Sequence, residues 1–194
     1  IARGWTAFLA EHDFSVISPD LRGNAWMSEP AVADLDAILE REKPLLAWNR
    51  LYLTAGSMGG TGALIFTVRH PERVDGVAAF GAATDLASYC AWLDEQNEPL
   101  HREIRNAITA AYPSEEDMRR NSALLHADRL TMPVWYLHGG ADTLIPVSQA
   151  RALAEKMRGR PDFRFREISG GNHDSPLAFY AETVTQLLKK DTEP

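Results

Sequence analysis

The sequence contains a single cysteine, Cys90, among 194 residues. One cysteine cannot form an internal disulfide, and it supplies no cluster of thiolates for a metal ion. We expect Cys90 to pack in the interior, and a role as a nucleophilic thiol is the weaker alternative. The sequence therefore indicates no metal site and no cofactor.

Long apolar runs and an excess of positive charge are also absent. No apolar segment approaches the roughly 20 residues that a membrane-spanning helix needs. The 20 Lys and Arg residues are outnumbered by 27 Asp and Glu, and the formal net charge of −7 argues against nucleic acid as a partner. We expect a small-molecule partner, with no nucleic acid and no membrane span. The oligomeric state is left open.

Internal repeats, low-complexity tracts and a signal-peptide pattern are not found either. A length of 194 residues suits one domain with a sizeable core. The first residue is Ile1 rather than methionine, so we expect the N-terminus to be incomplete. The compartment is weakly constrained for that reason, with the cytoplasm slightly favoured.

Most of the chain alternates short β-prone runs with segments of helical periodicity. The pattern predicts strands at 14–18, from 51, at 74–80, 133–138 and 163–168, and helices at 5–11, 31–48, 58–69, 147–157 and 176–190. Pro44 predicts that the second helix kinks or stops near Lys43. This alternation predicts an α/β fold, with a mostly parallel, doubly wound sheet flanked by helices. At about 86–130 it gives way to a helical insertion, a candidate cap within a single domain that spans 1–194.

A serine lies at the apex of one predicted strand–turn–helix unit. Residues 51–64 read LYLTAGSMGGTGAL, in which Ser57 separates an apolar run from a helical pattern. A sharp turn of this kind needs small flanking residues, which Ala55, Gly59 and Gly60 provide. It would hold the hydroxyl out at the carboxyl edge of the sheet, beside the free N–H groups of the helix start. The alternative is a glycine-rich turn with an incidental serine.

Two later loops carry the residue types that would activate such a serine. A serine hydroxyl needs a base to take its proton, and the base needs an orienting group. Asp142 follows one strand within HGGADTLIP, and His173 follows the last strand within GGNHD. Strand exits share one edge of a parallel sheet, so we expect both to approach Ser57. The alternatives are that Asp142 caps a helix and that His173 is an ordinary loop histidine. The rival candidates for the acid are Asp85 and Asp174.

Together these segments resemble the α/β-hydrolase family. The serine segment is similar to the nucleophile elbow of that family, G-x-S-x-G, with Ala55 in place of the first glycine. The two later segments resemble its acid loop and its histidine loop. The resemblance implies an α/β-hydrolase fold and a catalytic triad of Ser57, Asp142 and His173, in the chain order that the family uses.

The resemblance also bears on the oxyanion hole and the substrate pocket. It implies that the backbone N–H of Met58 is one oxyanion donor. The second donor and the first strands of the family's sheet would lie upstream of Ile1, so we expect them to be missing. Within the insertion, Tyr89 and Trp92 are candidates for a substrate pocket, although packing against the body of the domain is the favoured alternative.

The segment 121–146 is most similar to the prolyl oligopeptidase and acetyl xylan esterase branches of the family. These branches imply either peptidase or esterase activity, and an ester needs less assistance to its leaving group than an amide does. We therefore predict a serine hydrolase, namely a carboxylesterase that cleaves short acyl (acetyl-like) esters through an acyl-enzyme on Ser57. The alternatives are a prolyl oligopeptidase-type peptidase or amidase, and a non-catalytic binding protein with the same fold.

Overall fold

The structure is a computed structural model that describes residues 2–11 and 14–189. The helices are α1 (Ala2–Ala10), α2 (Glu29–Leu46), α3 (Ser57–Arg69), α4 (Leu86–Asp94), α5 (Pro99–Ala111), α6 (Glu115–Arg120), α7 (Val147–Lys156) and α8 (Tyr180–Lys189). The strands are β1 (Tyr52–Gly56), β2 (Gly76–Phe80), β3 (Val134–Gly139) and β4 (Phe163–Ile168). Short 3-10 turns occur at Pro71–Arg73, Ala127–Arg129 and Ser175–Phe179.

The four strands of the described residues form one parallel sheet in the order β1-β2-β3-β4. Ala55 lies opposite Ala79, which lies opposite Tyr136, which lies opposite Phe165. Each strand therefore pairs with the next one in the sequence through a connection that contains a helix. This confirms the predicted α/β class and parallel sheet, and it brings the carboxyl ends of all four strands to one edge.

Two hydrophobic clusters cover the two faces of the sheet. Val77 and Ala79 of β2 belong to the larger cluster, which includes side chains of α2, α3, α7 and the insertion. Ala78 and Phe80 belong to the smaller one, formed with α1 and α8. Successive side chains of a strand point to opposite faces, so a strand covered on both faces becomes apolar throughout. This is why β2 shows no alternation in its sequence.

The insertion folds into three helices that pack on one another and on the body. Ile108 of α5 and Met118 of α6 are buried in the larger cluster. Ser114 accepts a hydrogen bond from the backbone N–H of Asp117 and so caps the start of α6. Among the described residues, no helix combines the length and hydropathy that crossing a membrane requires.

The predicted strand at 14–18 is wrong. Residues 14–20 contain no strand or helix, and an apolar cavity of about 1110 Å³ lies between this segment and the outer edge of β1. Val16 and Ile17 line that cavity. A strand is defined by its hydrogen-bonded neighbour, and no neighbouring strand borders this segment among the described residues. The β-prone composition was read correctly, but composition cannot supply a partner.

Of the two outcomes predicted near Lys43, a kink or a stop, the stop is wrong, because the helix continues through Pro44 to Leu46. Proline removes one helical hydrogen bond, which costs less near the end of a helix than in its middle. Ala47 then adopts left-handed backbone angles, with φ 50°, and donates its N–H to the carbonyl of Lys43. An alanine therefore fills the position that usually holds glycine.

The geometry of this helix end predicts that replacing alanine by glycine stabilises the protein at one position of α2 and destabilises it at another. Ala47→Gly should raise the free energy of unfolding by about 1 kcal/mol, because glycine adopts left-handed angles without a steric penalty. Ala37→Gly, at an exposed position in the middle of the same helix, should lower it by about 1 kcal/mol. Urea denaturation of the two variants measures both effects. A loss of stability in Ala47→Gly would contradict the assigned helix end.

Candidate active site

Ser57 lies at a strained turn between β1 and α3. Its φ is 56°, in the left-handed region that non-glycine residues rarely occupy. The turn is tight because β1 ends at Gly56 and α3 begins at the next residue. A Cβ at position 60 would lie 2.9 Å from the carbonyl oxygen of Ala55, so a side chain there would push the helix away from the strand. The small residues around the serine are thus a packing requirement of the turn.

The side chains of Ser57, His173 and Asp142 form a hydrogen-bonded line across three exit loops. Nε2 of His173 lies 2.9 Å from Oγ of Ser57, and Nδ1 lies 2.7 Å from Oδ2 of Asp142. These residues follow β1, β3 and β4, whose carboxyl ends share one edge of the sheet. The structure therefore brings together the three residues that the sequence singled out.

The protonation of this line follows from the environment of Asp142. Burial by itself would raise the pKa of this carboxyl, but hydrogen bonds from His138, His173 and the N–H of Ile145 outweigh burial and hold the pKa well below its usual range. The ionised carboxylate can only accept, so Nδ1 of His173 carries the hydrogen. In the neutral imidazole Nε2 is then a bare acceptor that faces the hydroxyl of Ser57. This is the arrangement a general base needs.

The loop that presents Asp142 is closed by its own side chain. Oδ1 accepts hydrogen bonds from the backbone N–H groups of Leu144, at 2.8 Å, and Ile145, at 3.0 Å. Oδ2 remains available to His173. The residue at the N-cap position of α7 is Pro146, and no side chain caps that helix start. Asp142 therefore orders its loop with one oxygen and contacts the imidazole with the other.

The loop that presents His173 depends on Asn172, which the sequence analysis did not single out. Oδ1 of Asn172 accepts hydrogen bonds from the N–H groups of Asp174 and Ser175 and from the hydroxyl of Ser175. This is an Asx turn, and the signal for it is an asparagine followed three residues later by serine. Gly81, with φ 55°, lies beneath the imidazole, since a Cβ there would approach its Nδ1 to 3.5 Å.

The rival acids have other roles. Oδ1 of Asp85 accepts from the N–H of Ala87 and caps the start of α4. The backbone N–H of Asp85 donates to Oε1 of Gln149, which is buried and anchors this loop to α7. Asp174 is exposed. Within the described residues, Asp142 is the carboxylate that contacts His173.

The oxyanion side of the site is partly described. Met58 is the second residue of α3, so its N–H is one of those that a helix start leaves without an internal partner. The hydroxyl of Thr61 donates to the carbonyl of Ser57 and accepts from the N–H of Ala83, which ties the exit loop of β2 to the serine turn. The second donor, expected upstream of Ile1, lies outside the described residues.

The two candidate pocket residues behave differently. Tyr89 has no exposed surface and donates its hydroxyl to the carbonyl of Leu144, so its assignment to an open pocket is wrong and the packing alternative holds. Aromatic rings bury well when their polar tip finds a partner, and the acid loop supplies that partner. Trp92 is partly buried and lines an open groove of about 560 Å³ with His101 and Thr143.

No group of three His, Cys, Asp or Glu in the described part of the chain is arranged to hold a metal ion.

The acid and histidine loops pack so closely that one position between them must be glycine. A Cβ at Gly139 would overlap the carbonyl oxygens of Asn172 and Gly171. The neighbouring N–H of Ala141 donates to the carbonyl of Gly171 at 2.8 Å, which fixes the two loops at this separation. The backbone of the histidine loop therefore occupies the space that a side chain at position 139 would need.

Gly139→Ala is expected to separate these loops. The free energy of unfolding should fall by more than about 2 kcal/mol, because the clash is with backbone that cannot rotate away. Gly23→Ala is the matched control: its φ is 61° with open space around it, so only the left-handed strain of about 1 kcal/mol applies. Chemical denaturation compares the two. Equal losses would contradict the close approach of the loops.

Comparisons with known proteins find matches along most of the chain. The model of the family described as Serine hydrolase (FSH1) matches residues 54–176, and the model described as alpha/beta hydrolase fold matches residues 3–96. A protein of Caulobacter sp. (strain K31) named "Putative carbamate hydrolase RutD" is 26% identical over 220 residues, which cover 90% of this chain and 81% of that protein.

Solved structures show the same fold. The esterase Pf2001 of Pyrococcus furiosus has a TM-score of 0.71 at 16% identity, over 97% of this chain and 75% of that one. The monoacylglycerol lipase of Paleococcus ferrophilus has a TM-score of 0.58 at 18% identity, over 83% and 75%. A puromycin hydrolase has a TM-score of 0.66 at 21% identity over 87% of this chain. The chain spans about a quarter (26%) of the length of that last protein.

Proposed function

Because the chain belongs to the serine hydrolase (FSH1) family and has the α/β-hydrolase fold, we propose that it is a carboxylesterase that cleaves short acyl (acetyl-like) esters through an acyl-enzyme on Ser57. The observation that carries the proposal is the line from Ser57 through His173 to the buried carboxylate of Asp142, with distances of 2.9 and 2.7 Å. A hydroxyl, a base and an orienting acid at these separations are what acyl transfer requires.

In the proposed mechanism, each atom of the line has a role. As Oγ of Ser57 attacks the carbonyl carbon, its proton passes to Nε2 of His173, and Asp142 stabilises the imidazolium through Nδ1–H. The carbonyl oxygen becomes an oxyanion beside the N–H of Met58 at the start of α3, where the helix dipole favours negative charge. The bond from carbon to the alcohol oxygen then breaks, and Nε2–H protonates the departing alkoxide.

The second half-reaction reverses these proton movements. A water molecule gives its proton to Nε2 of His173 and attacks the acyl carbon. The new tetrahedral intermediate releases the carboxylic acid, and Oγ of Ser57 recovers its proton from the imidazolium. His173 suits this exchange because 16% of its side chain is exposed while the carboxylate that orients it is fully covered. Water and substrate can therefore reach the imidazole of His173, whereas the carboxylate of Asp142 is shielded from both.

The choice of an ester over an amide is supported by chemistry and by the relatives. An alkoxide leaves with less protonation than an amine, so an ester makes a smaller demand on His173. The chain matches the esterase and the monoacylglycerol lipase over about three quarters of their lengths. A peptidase or amidase is the second candidate, favoured by the likeness to a puromycin hydrolase. A non-catalytic binding protein is the third, and a direct test of Ser57 separates it from both.

The proposed triad is tested with a fluorophosphonate probe and aryl acetate hydrolysis. The probe should label wild-type protein and not Ser57→Ala. Asp142→Asn should lower turnover about 10⁴-fold, because the amide can hold the imidazole in the wrong tautomer. Asp174→Asn changes the exposed acid next to His173 and should keep turnover within about threefold of wild type. Absence of labelling in folded wild-type protein would favour a binding protein, and equal losses in both Asp variants would contradict the assignment of Asp142.

The substrate class is tested by comparing leaving groups and acyl lengths. Aryl acetate should be cleaved with a kcat/KM at least about 100-fold above that of a proline anilide, since the anilide depends more on protonation of its leaving group. Aryl acetate should also exceed aryl butyrate and longer esters. Ser57→Ala serves as the blank for each substrate. Rapid anilide turnover with slow ester turnover would contradict the esterase proposal and favour a peptidase or amidase.

A further inference from the structure

The carboxylate of Asp142 contacts a second imidazole that the proposed mechanism does not use. His138 lies near the end of β3, and its side chain has no exposed surface. Its Nε2 is 3.3 Å from Oδ2 of Asp142, the same oxygen that Nδ1 of His173 approaches to 2.7 Å. One oxygen of the acid therefore faces two histidines, one buried behind it and one in the active site.

The position of the hydrogen on His138 follows from its partners. Nε2 is also 2.8 Å from the carbonyl oxygen of Ile145. A carbonyl and an ionised carboxylate can only accept, so Nε2 must carry a hydrogen that both of them share. On the other side of the ring, Nδ1 is 3.2 Å from the hydroxyl of Tyr136. The single hydrogen of that hydroxyl is donated to the carbonyl of Ala82, so the hydrogen bonds of the ring are made through Nε2.

With His138 included, the carboxylate of Asp142 faces four N–H groups. Oδ1 accepts from the N–H groups of Leu144 and Ile145, Oδ2 accepts from Nδ1–H of His173, and Nε2 of His138 lies 3.3 Å from Oδ2. A carboxylate surrounded in this way cannot rotate about its last bond without losing several of these contacts. Three of these donors stay in place during the reaction, so the acid keeps its orientation while His173 moves its protons.

We propose that His138 is a positioning residue for the triad: its Nε2–H holds Oδ2 of Asp142 from behind and draws negative charge away from the oxygen that faces His173. This inference rests on the proposed function of Ser57, His173 and Asp142. His138 does not contact the substrate or the reacting atoms. It acts on His173 through the shared oxygen of Asp142.

The proposal has a consequence for the pH profile. Without the hydrogen bond from His138, more negative charge on Oδ2 stabilises the imidazolium of His173, so the acid limb of the profile moves to higher pH. Among the described residues, the other ionisable groups around the pair are Tyr89 of α4, Tyr136 of β3 and Glu167 of β4, and all three side chains are kept in a His138 variant. Glu167 lies opposite His138 in the sheet and is paired with Arg151.

The first test uses the unmodified protein. Two-dimensional proton–nitrogen NMR of the chain labelled with ¹⁵N-histidine reports which ring nitrogen of each histidine carries a hydrogen, and His138→Gln assigns the signals by their disappearance. We expect a hydrogen on Nε2 of His138 across the range in which the protein is active. A bare Nε2 would overturn the proposal, because it could not donate to Asp142. This measurement requires no turnover.

The second test compares two replacements of nearly equal length. His138→Met removes the donor, whereas the amide of His138→Gln can place an N–H near the position of Nε2. The readout is the second-order rate of fluorophosphonate labelling of Ser57 from pH 5 to 9, together with circular dichroism to verify folding. His138→Met should label at least about tenfold more slowly, with its acid limb about half a pH unit higher. His138→Gln should restore the limb to the wild-type position.

Each outcome of the second test has a meaning. The proposal would be overturned if folded His138→Met kept both the wild-type labelling rate and the wild-type acid limb. It would also be overturned if both variants labelled more slowly with an unmoved acid limb, because that result indicates a merely structural role. If His138→Met does not fold, His138→Gln and the NMR result decide. His126→Gln, at a half-buried histidine of the insertion, is the control and should match wild type. Absence of labelling in wild-type protein would refute the proposed function instead, whatever the variants do.

Discussion

The proposed active site depends on keeping one carboxylate ionised beneath the surface. The side chain of Asp142 has no exposed area, and an unpaired carboxylate in that position would take up a proton or destabilise the fold. Two backbone N–H groups and two imidazoles prevent this. Because the acid stays ionised, it fixes the hydrogen of His173 on Nδ1, and that in turn leaves Nε2 free to accept a proton from Ser57. The chemistry at the surface is thus set by electrostatics below it.

The second constraint is how closely the exit loops must approach one another. Parallel strands place Ser57, Asp142 and His173 at one edge, but hydrogen-bond distances between side chains require more than a shared edge. Gly139 allows the acid loop to contact the backbone of the histidine loop, and Gly81 leaves room for the imidazole above β2. Thr61 joins the serine turn to the exit of β2. The positions without a side chain are as necessary to this geometry as Ser57, Asp142 and His173 themselves.

Much of the fold was predictable because its signals are local. The segments that became α3, β2, β3, α7 and β4 show a clear change between helical and strand periodicity, and each was found within a few residues. The errors have a common origin. The segment 14–18 has the composition of a strand but no neighbour among the described residues, and the end of α2 was set by a left-handed Ala47 rather than by Pro44. Both outcomes depend on contacts or angles that composition does not encode.

By itself, the sequence determined the α/β class, the strained serine turn and the loops that carry Asp142 and His173, because small residues, strand exits and residue types are properties of short segments. The tertiary structure decided which acid contacts the imidazole, since Asp85 became a helix cap and Asp174 stayed exposed. It also decided that Tyr89 is packed rather than open, that His138 lies against Asp142 and that Asn172 orders the loop of His173. These roles arise from distances between segments far apart in the chain, and such distances exist only after the sheet has formed.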